Sequence, residues 1–266
     1  MISWAGVVQM KYAAVLNDMG SGTCRRKDVL DALLKKHPGY NTGSFNRHFS
    51  RFLSNGLIEN VGRDLYIAVS PETAKEMYSY RNPSDRFSEV LSFLDSEFPL
   101  ADFIVCETVQ LNEFFDHQTA QNIIIVAMEK MLMDAAFDKL KEKFRSVMLS
   151  PGPDDIRRYA ENGTVIVERL TSRYPKNRTE KHGVTIEKLI VDIFAEKRIR
   201  SLFSTGDYPS ALKNIFRRYR INETAMLNYA RMRRTDAKIL DMLRNNAGVK
   251  LHTDSENYVE EGQFHI

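Results

Sequence analysis

Cysteine is scarce: Cys24 and Cys106 are the only two in 266 residues. A pair so widely separated excludes a disulfide scaffold and a four-cysteine zinc site. No apolar run reaches the roughly 18 residues that a membrane-crossing helix requires, so no membrane partner is expected. The N-terminus lacks a basic segment ahead of an apolar core, so no secretory leader is expected and the protein is placed in the cytoplasm. Phosphate-cradling glycine patterns are missing, both the P-loop and GxGxxG. HExxH and GxSxG are missing as well. The six histidines, at positions 37, 48, 117, 182, 252 and 265, show no metal-ligand spacing. There is no internal repeat and no low-complexity segment. The expectation is a protein that is not an enzyme, with no cofactor, no catalytic residue and no resident metal.

A metal-dependent nuclease would need a carboxylate near one strand and Glu-x-Lys or Asp-x-Lys on the next. The only match is Asp236-Ala237-Lys238, in a stretch that reads as helix. Asp102, Glu107 and Glu129 lie near expected strand ends, where a carboxylate could hold a metal but is more often solvated. A nucleotidyltransferase would need Gly-Ser followed by an acidic pair on a strand, and Gly20-Ser21 lacks that pair.

The positive content of the chain is concentrated in Arg25 to Ala68. Val29, Leu30, Leu33 and Leu34 form one apolar helical stripe, and Pro38-Gly39 ends it. Asn41 or Thr42 can cap a second helix, because either side chain can accept a bond from an unpaired backbone N–H. Phe45, Phe49, Phe52 and Leu53 recur at helical spacing and are expected to face inward. At 100° per residue, Ser44, Arg47, Ser50 and Arg51 lie opposite, with Asn46 and His48 at the flanks. Gly56 to Val61 and Asp64 to Ile67 read as two strands around Gly62-Arg63. The pattern is that of a winged helix-turn-helix. Its second helix presents the small, polar and basic face that major-groove entry requires, where some side chains hold phosphates and others meet base edges. Arg63, at the tip of the wing, is placed to reach a phosphate or the minor groove. The competing reading is a protein-binding winged helix whose polar face is merely solvated.

Charge is unevenly spread. Residues 1–70 carry nine Lys/Arg and five Asp/Glu, net +4; residues 71–150 are net −6; residues 151–245 are net +8; and the tail 246–266 is net −3. A basic winged helix agrees with DNA binding. The length suits two domains, and a 43% hydrophobic content is enough for ordinary globular cores.

Val8, Tyr12, Val15 and Leu16 share one helical face, so Ser3 to Asn17 is expected to be the first helix of the N-terminal domain, with Gly20-Ser21-Gly22 as the following loop. Ser70-Pro71-Glu72-Thr73 reads as a helix start, and Arg81-Asn82-Pro83-Ser84 as the domain boundary. The expected division is a winged helix over 1–80, an α/β domain over 84–245 and a loose polar tail over 246–266. In the second domain Phe87, Val90, Leu91 and Leu94 mark a helix. Phe103–Cys106, Ile123–Ala127, Ser146–Leu149 and Thr164–Val167 read as strands. A short helix is expected over Val109–Phe115, a longer one over Leu132–Phe144, and another opening at Asp154-Asp155. Such alternation argues for a mixed or largely parallel sheet. From Thr185 the chain turns helical, with stripes at Ile186–Phe194, Ala211–Phe216, Ala225–Ala230 and Ala237–Leu243. The fold class expected is α/β: an N-terminal winged helix-turn-helix, then a mixed α/β domain with a helical C-terminal part.

Two arginine groups follow apolar stripes: Arg217, Arg218 and Arg220, then Arg231, Arg233 and Arg234. Cations near a helix C-terminus are stabilised by the dipole. The alternative is a surface for a partner protein or for DNA phosphates.

The segment Gly56-Leu57-Ile58-Glu59-Asn60-Val61-Gly62-Arg63-Asp64-Leu65-Tyr66 resembles the N-terminal domain of the abortive-infection AbiEi-type antitoxins. Ile186-Glu187-Lys188-Leu189-Ile190-Val191-Asp192-Ile193-Phe194 is similar to the E-K-x-L-x-D helix of that family's second domain. The resemblance implies a non-enzymatic antitoxin and autorepressor of a phage-defence system. Its partners would be double-stranded promoter DNA and a nucleotidyltransferase-like toxin, and no catalytic residue carries over. Two other classes compete: a nuclease-like enzyme targeted by the winged helix, and a ligand-responsive repressor whose α/β domain senses a small molecule.

Overall fold

The computed structural model describes residues 12–19, 22–69, 75–116, 118–119, 121–177, 180–196 and 203–253. The molecule is mixed α/β and divides into two compact units. One comprises residues 1–77, 218–225 and 250–266; the other comprises 78–217 and 226–249. A single cut at the Arg81-Asn82-Pro83-Ser84 break therefore does not coincide with this division: two later segments return to the first unit.

In the first unit the elements run α1 (Ala14–Asn17), β1 (Thr23–Cys24), α2 (Arg26–Lys36), α3 (Phe45–Ser54), β2 (Ile58–Gly62) and β3 (Leu65–Ala68). Tyr12 has φ of +78°, so the expected helix does not run through it; residues before it lie outside those described, as does the helix start expected at Ser70–Thr73. Asp28 accepts from the backbone N–H of Arg25 at 2.6 Å, which satisfies one donor at the start of α2. Asn41 accepts from Gly43 N–H at 2.9 Å and so caps the 3-10 turn Thr42–Ser44 that leads into α3; the N-cap of α3 itself is Ser44, which makes no side-chain cap bond. The end of α3 is set by Gly56 at φ +67°. Leu57 N–H donates to Phe52 O at 2.9 Å and Gly56 N–H to Leu53 O at 3.0 Å, the paired bonds of a Schellman stop. Gly56 therefore belongs to the helix end, and the strand begins two residues later than the apolar run suggested. β3 is central in an antiparallel sheet of order β1-β3-β2. The core is Val15, Leu16, Val29, Leu33, Tyr40, Phe45, Phe49, Phe52 and Ile58, with Leu30, Leu34 and Leu53 partly buried against it.

The second unit is built on a four-stranded sheet of order β4 (Phe103–Glu107), β5 (Ile123–Met128), β7 (Thr164–Arg169), β6 (Val147–Leu149). β4 is antiparallel to β5, and the other pairs are parallel, so the sheet is mixed. Helices α4 (Asp85–Glu97), α5 (Met133–Lys143) and α6 (Pro153–Tyr159) fall close to their expected places. Val109–Phe115 is a 3-10 turn over Thr108–Glu113 instead of an α-helix. Strand periodicity of two puts Phe103, Val105, Ile124, Val126, Met128, Val165 and Val167 into one core with Val90, Leu94, Ala136 and Leu140 from α4 and α5. Ile104, Ile123 and Ile166, of the opposite parity, are equally buried. This two-sided burial explains why the strands read as continuous apolar runs.

Among the described residues the following helices are α7 (Ile186–Ala195), α8 (Tyr208–Arg218), α9 (Glu223–Met232) and α10 (Asp236–Asp241), the last continuing as a π-turn over Met242–Asn246. α7 is buried at eight of its ten positions, from Ile186 through Phe194. Of the expected tail 246–266, residues 254–266 lie outside those described; in the described part Ala247 and Leu251 are buried.

Candidate nucleic-acid interface

α3 separates its residues by face. Phe45, Phe49 and Phe52 are buried, with Phe49 at 1% exposure and Phe52 at 0%. Asn46, Arg47, Ser50 and Arg51 are exposed and Ser44 is half-buried. The Arg47 guanidinium lies 3.4 Å from Ser44 Oγ, a weak bond that leaves the side chain available. Ser54 Oγ and Asn55 Nδ2 donate to the Arg51 carbonyl, tying down the last turn beneath the Arg51 side chain.

Two flanking residues are committed differently. The Tyr40 hydroxyl lies 2.9 Å from His48 Nδ1, and the His48 ring packs in a cluster with Tyr12 and Tyr40. His48 thus supports the turn before α3, and its place among DNA-facing residues is not favoured. Arg26, from the first turn of α2, stacks over the rings of Phe45 and Phe49 at 5.5 and 4.8 Å and donates to Asn46 Oδ1 at 2.6 Å. This partner was not legible in the sequence, because it comes from another helix. It leaves the Asn46 amide to act chiefly as a donor.

Between β2 and β3 the turn is Arg63-Asp64, with Asp64 at φ +52°. Aspartate tolerates this left-handed geometry better than most residues. The Arg63 side chain is exposed. Its basic tip and the α3 face belong to the same unit.

The six C-terminal arginines do not form one group. Arg217 is exposed and donates to Asn214 one turn back. Arg218 is exposed and reaches Glu76 at 3.7 Å. Arg231 donates to Asn228 at 2.7 Å and is exposed, as is Arg234, which takes φ +56° at the end of α9. Arg220 and Arg233 are committed inward. Arg220 pairs with buried Glu59 at 2.9 Å and donates to Lys75 O at 2.9 Å. Burial pushes the Glu59 carboxyl up, against the opposing pull of Arg220. Arg233 bonds Asp192 at 3.3 Å, the Tyr229 hydroxyl at 3.0 Å and Thr171 Oγ1 at 3.2 Å, and pairs with Glu196. Neither is placed to meet a partner, because a charge withdrawn from water must keep its counter-charge.

The same polar core holds Lys188, paired with Asp192 one turn along α7, while the Tyr229 hydroxyl donates to Asp192 at 3.0 Å. Burial opposes the charge on Lys188, yet the Asp192 carboxylate outweighs it and holds the ammonium above the usual lysine range. Lys188 and Asp192, two of the three charged residues of the 186–194 segment, are thus interior positions, while Glu187 is half-buried. The i, i+4 spacing of Lys188 and Asp192 within a mostly apolar helix was the available sequence signal.

The candidate metal carboxylates are engaged separately. Glu107, buried, accepts from the Tyr80 hydroxyl (2.5 Å), Ser84 N–H (2.9 Å), Ser84 Oγ (2.5 Å) and Asn122 Nδ2 (2.6 Å). Asp102 accepts from Tyr174 at 2.7 Å and Lys176 at 2.6 Å. Glu129 is exposed at the end of β5. Among the described residues no three His, Cys, Asp or Glu come together as a metal-ligand set. His117 lies outside the described residues. Burial pushes the Cys24 thiol up to about 11 and the Cys106 thiol up to about 12, so at neutral pH neither is a thiolate.

No helix among the described residues is long and apolar enough to cross a membrane. No curated protein matches the chain. Among solved structures, the RV2827C protein from Mycobacterium tuberculosis is similar at 12% identity, over 92% of this chain and 82% of that one, with a TM-score of 0.28; a likeness at that score carries no argument. The model of a family of unknown function, DUF6577, matches residues 44–248, a span that opens immediately before α3 and runs into the turn after α10, and the chain belongs to that family.

Proposed function

We propose that the protein is a DNA-binding autorepressor and antitoxin, working as a winged helix-turn-helix in its first unit and acting without catalysis in the cytoplasm. The observation that carries the DNA half is the exposed set Asn46, Arg47, Ser50 and Arg51 above the buried Phe45, Phe49 and Phe52. An amphipathic helix of that composition has the donors for phosphate and guanine on one face and its anchor on the other. Arg63 adds a second basic point on the hairpin. The antitoxin half is supported by the resemblance of residues 56–66 and 186–194 to AbiEi-type antitoxins. Its toxin would be a nucleotidyltransferase-like protein, and the exposed Arg217, Arg231 and Arg234 are the cations available to meet one.

The test is a gel shift of the full chain with duplex DNA from upstream of its own gene. Arg47→Ala with Arg51→Ala should weaken binding by about 1–3 kcal/mol for each arginine that pairs with a guanine through two hydrogen bonds. Unchanged affinity in a folded double variant would remove α3 from the interface.

A further inference from the structure

The hairpin turn is held from outside the hairpin. β1 pairs with β3 at Ile67 and Tyr66 only, so next to its turn the β2–β3 hairpin is a two-stranded ribbon, which is marginal by itself, and it ends in the two-residue turn Arg63-Asp64. Neighbouring segments of the first unit restrain it from both sides. Arg63 N–H donates to Thr224 Oγ1 at 3.2 Å. Asn222 Nδ2 donates to Asn60 Oδ1 at 3.1 Å, while Asn60 Nδ2 donates to Gly62 O at 2.8 Å. Gly62 lies so close to Thr224 that a Cβ there would fall 2.8 Å from Oγ1. On the other side, Asp64 Oδ1 lies 3.4 Å from Arg26 N–H.

The holding segment is itself secured. Glu223, only 3% exposed, accepts from His252 N–H at 3.1 Å, Thr253 N–H at 2.9 Å and Thr253 Oγ1 at 3.1 Å, and lies 2.9 Å from His252 Nδ1. Arg220 anchors the segment at its other end through Glu59. The turn backbone is thus restrained while the Arg63 side chain projects into solvent.

We infer that Asn222 and Thr224 are positioning residues for DNA binding: they touch no DNA, but hold the Arg63 backbone so that its guanidinium meets the duplex with its turn already ordered. The inference rests on the DNA-binding reading above. Preordering lowers the conformational cost that binding must otherwise meet, and the loss of one such bond corresponds to roughly a two- to tenfold change.

The experiment uses the full chain and a duplex from upstream of its gene, with affinity read by fluorescence anisotropy for wild type, Arg63→Ala, Thr224→Val, Thr224→Ser and the double variant Thr224→Val/Arg63→Ala. Arg63→Ala and Thr224→Val should each weaken binding, Thr224→Ser should restore it, and Thr224→Val should add nothing once Arg63 is gone. Without DNA, exchange of the Arg63 amide proton should speed up in Thr224→Val and recover in Thr224→Ser. If Thr224→Val unfolds the protein, Asn222→Ala in the same cycle with Arg63→Ala takes its place. Equal losses from Thr224→Val with and without Arg63 would make its role general stability and overturn the inference. So would an Arg63→Ala protein that binds like wild type, even while Arg47→Ala/Arg51→Ala fails to bind and the DNA-binding reading stands. A wild-type protein that binds no duplex would overturn that reading, and the inference with it.

Discussion

At the scale of single residues, environment decides whether a polar side chain is free to meet a partner or serves as a strut. Arg47 and Arg220 are the same residue type, yet one faces solvent and the other is bound to buried Glu59. Phe49, at 1% exposure and packed edge-on against Tyr66, is a packing residue. Phe49→Ala should destabilise the protein by about 3–5 kcal/mol, read by chemical denaturation. A midpoint that does not move would place the ring outside the core. Asp192 compensates both Lys188 and Arg233. Asp192→Ala strands buried positive charge and should cost about 3–5 kcal/mol, whereas Asp192→Glu should cost less if a carboxylate there still reaches either cation. Equal stability of wild type and Asp192→Ala would mean that the network contributes nothing.

Elements are held at their ends by particular groups. Gly56 stops α3 with a left-handed backbone, and a Cβ there would fall 2.7 Å from Arg220 Nη2. Gly56→Ala should therefore destabilise by more than the roughly 1–2 kcal/mol of the conformational penalty alone, measured by thermal melt against Gly248→Ala, where φ is +64° but nothing lies within 4 Å. At the start of β4, Asp102 is partly buried, which raises its carboxyl, but the bonds from Lys176 and Tyr174 outweigh this and hold it below the usual aspartate value. A folded value below the unfolded one means that the contribution is complete above the unfolded value, near 3.8, and is lost as pH falls through the folded value. Urea midpoints between pH 2 and 6 should show a shallower acid-side decline for Asp102→Asn than for wild type. Parallel curves would remove Asp102 from the acid response.

Across the whole molecule, the first unit is assembled from three stretches of chain. A fragment ending at residue 77 keeps Glu59 but lacks Arg220, and keeps Asn60 and Gly62 but lacks Asn222 and Thr224. Such a fragment should lose the cooperative melt of its parent and bind promoter DNA weakly or not at all. A fragment as stable as the full protein would reduce the returning segments to decoration. For the antitoxin half, charge reversal at Arg217, Arg231 and Arg234 should weaken protection of cells co-expressing the toxin and leave promoter binding intact. Full protection would leave these arginines as solvated helix-end cations.

Much of this was legible in the residues alone. Phe45, Phe49 and Phe52 set the phase of α3, because helical periodicity is a local property of the chain. The four strands of the second unit stood out as short apolar runs for the same reason, and Asn41 was recognisable as a cap from its type, although it caps the 3-10 turn ahead of α3 and not the helix itself. What tertiary structure decided were pairings across long sequence separations: Arg26 with Asn46, Arg220 with Glu59, Thr224 with Arg63, and the donors gathered on Glu107. No periodicity encodes these, since each depends on which elements the fold brings side by side. The direction of six arginines that read alike in sequence was decided the same way: a charged side chain turns inward only where a buried counter-charge waits for it, and turns to water everywhere else.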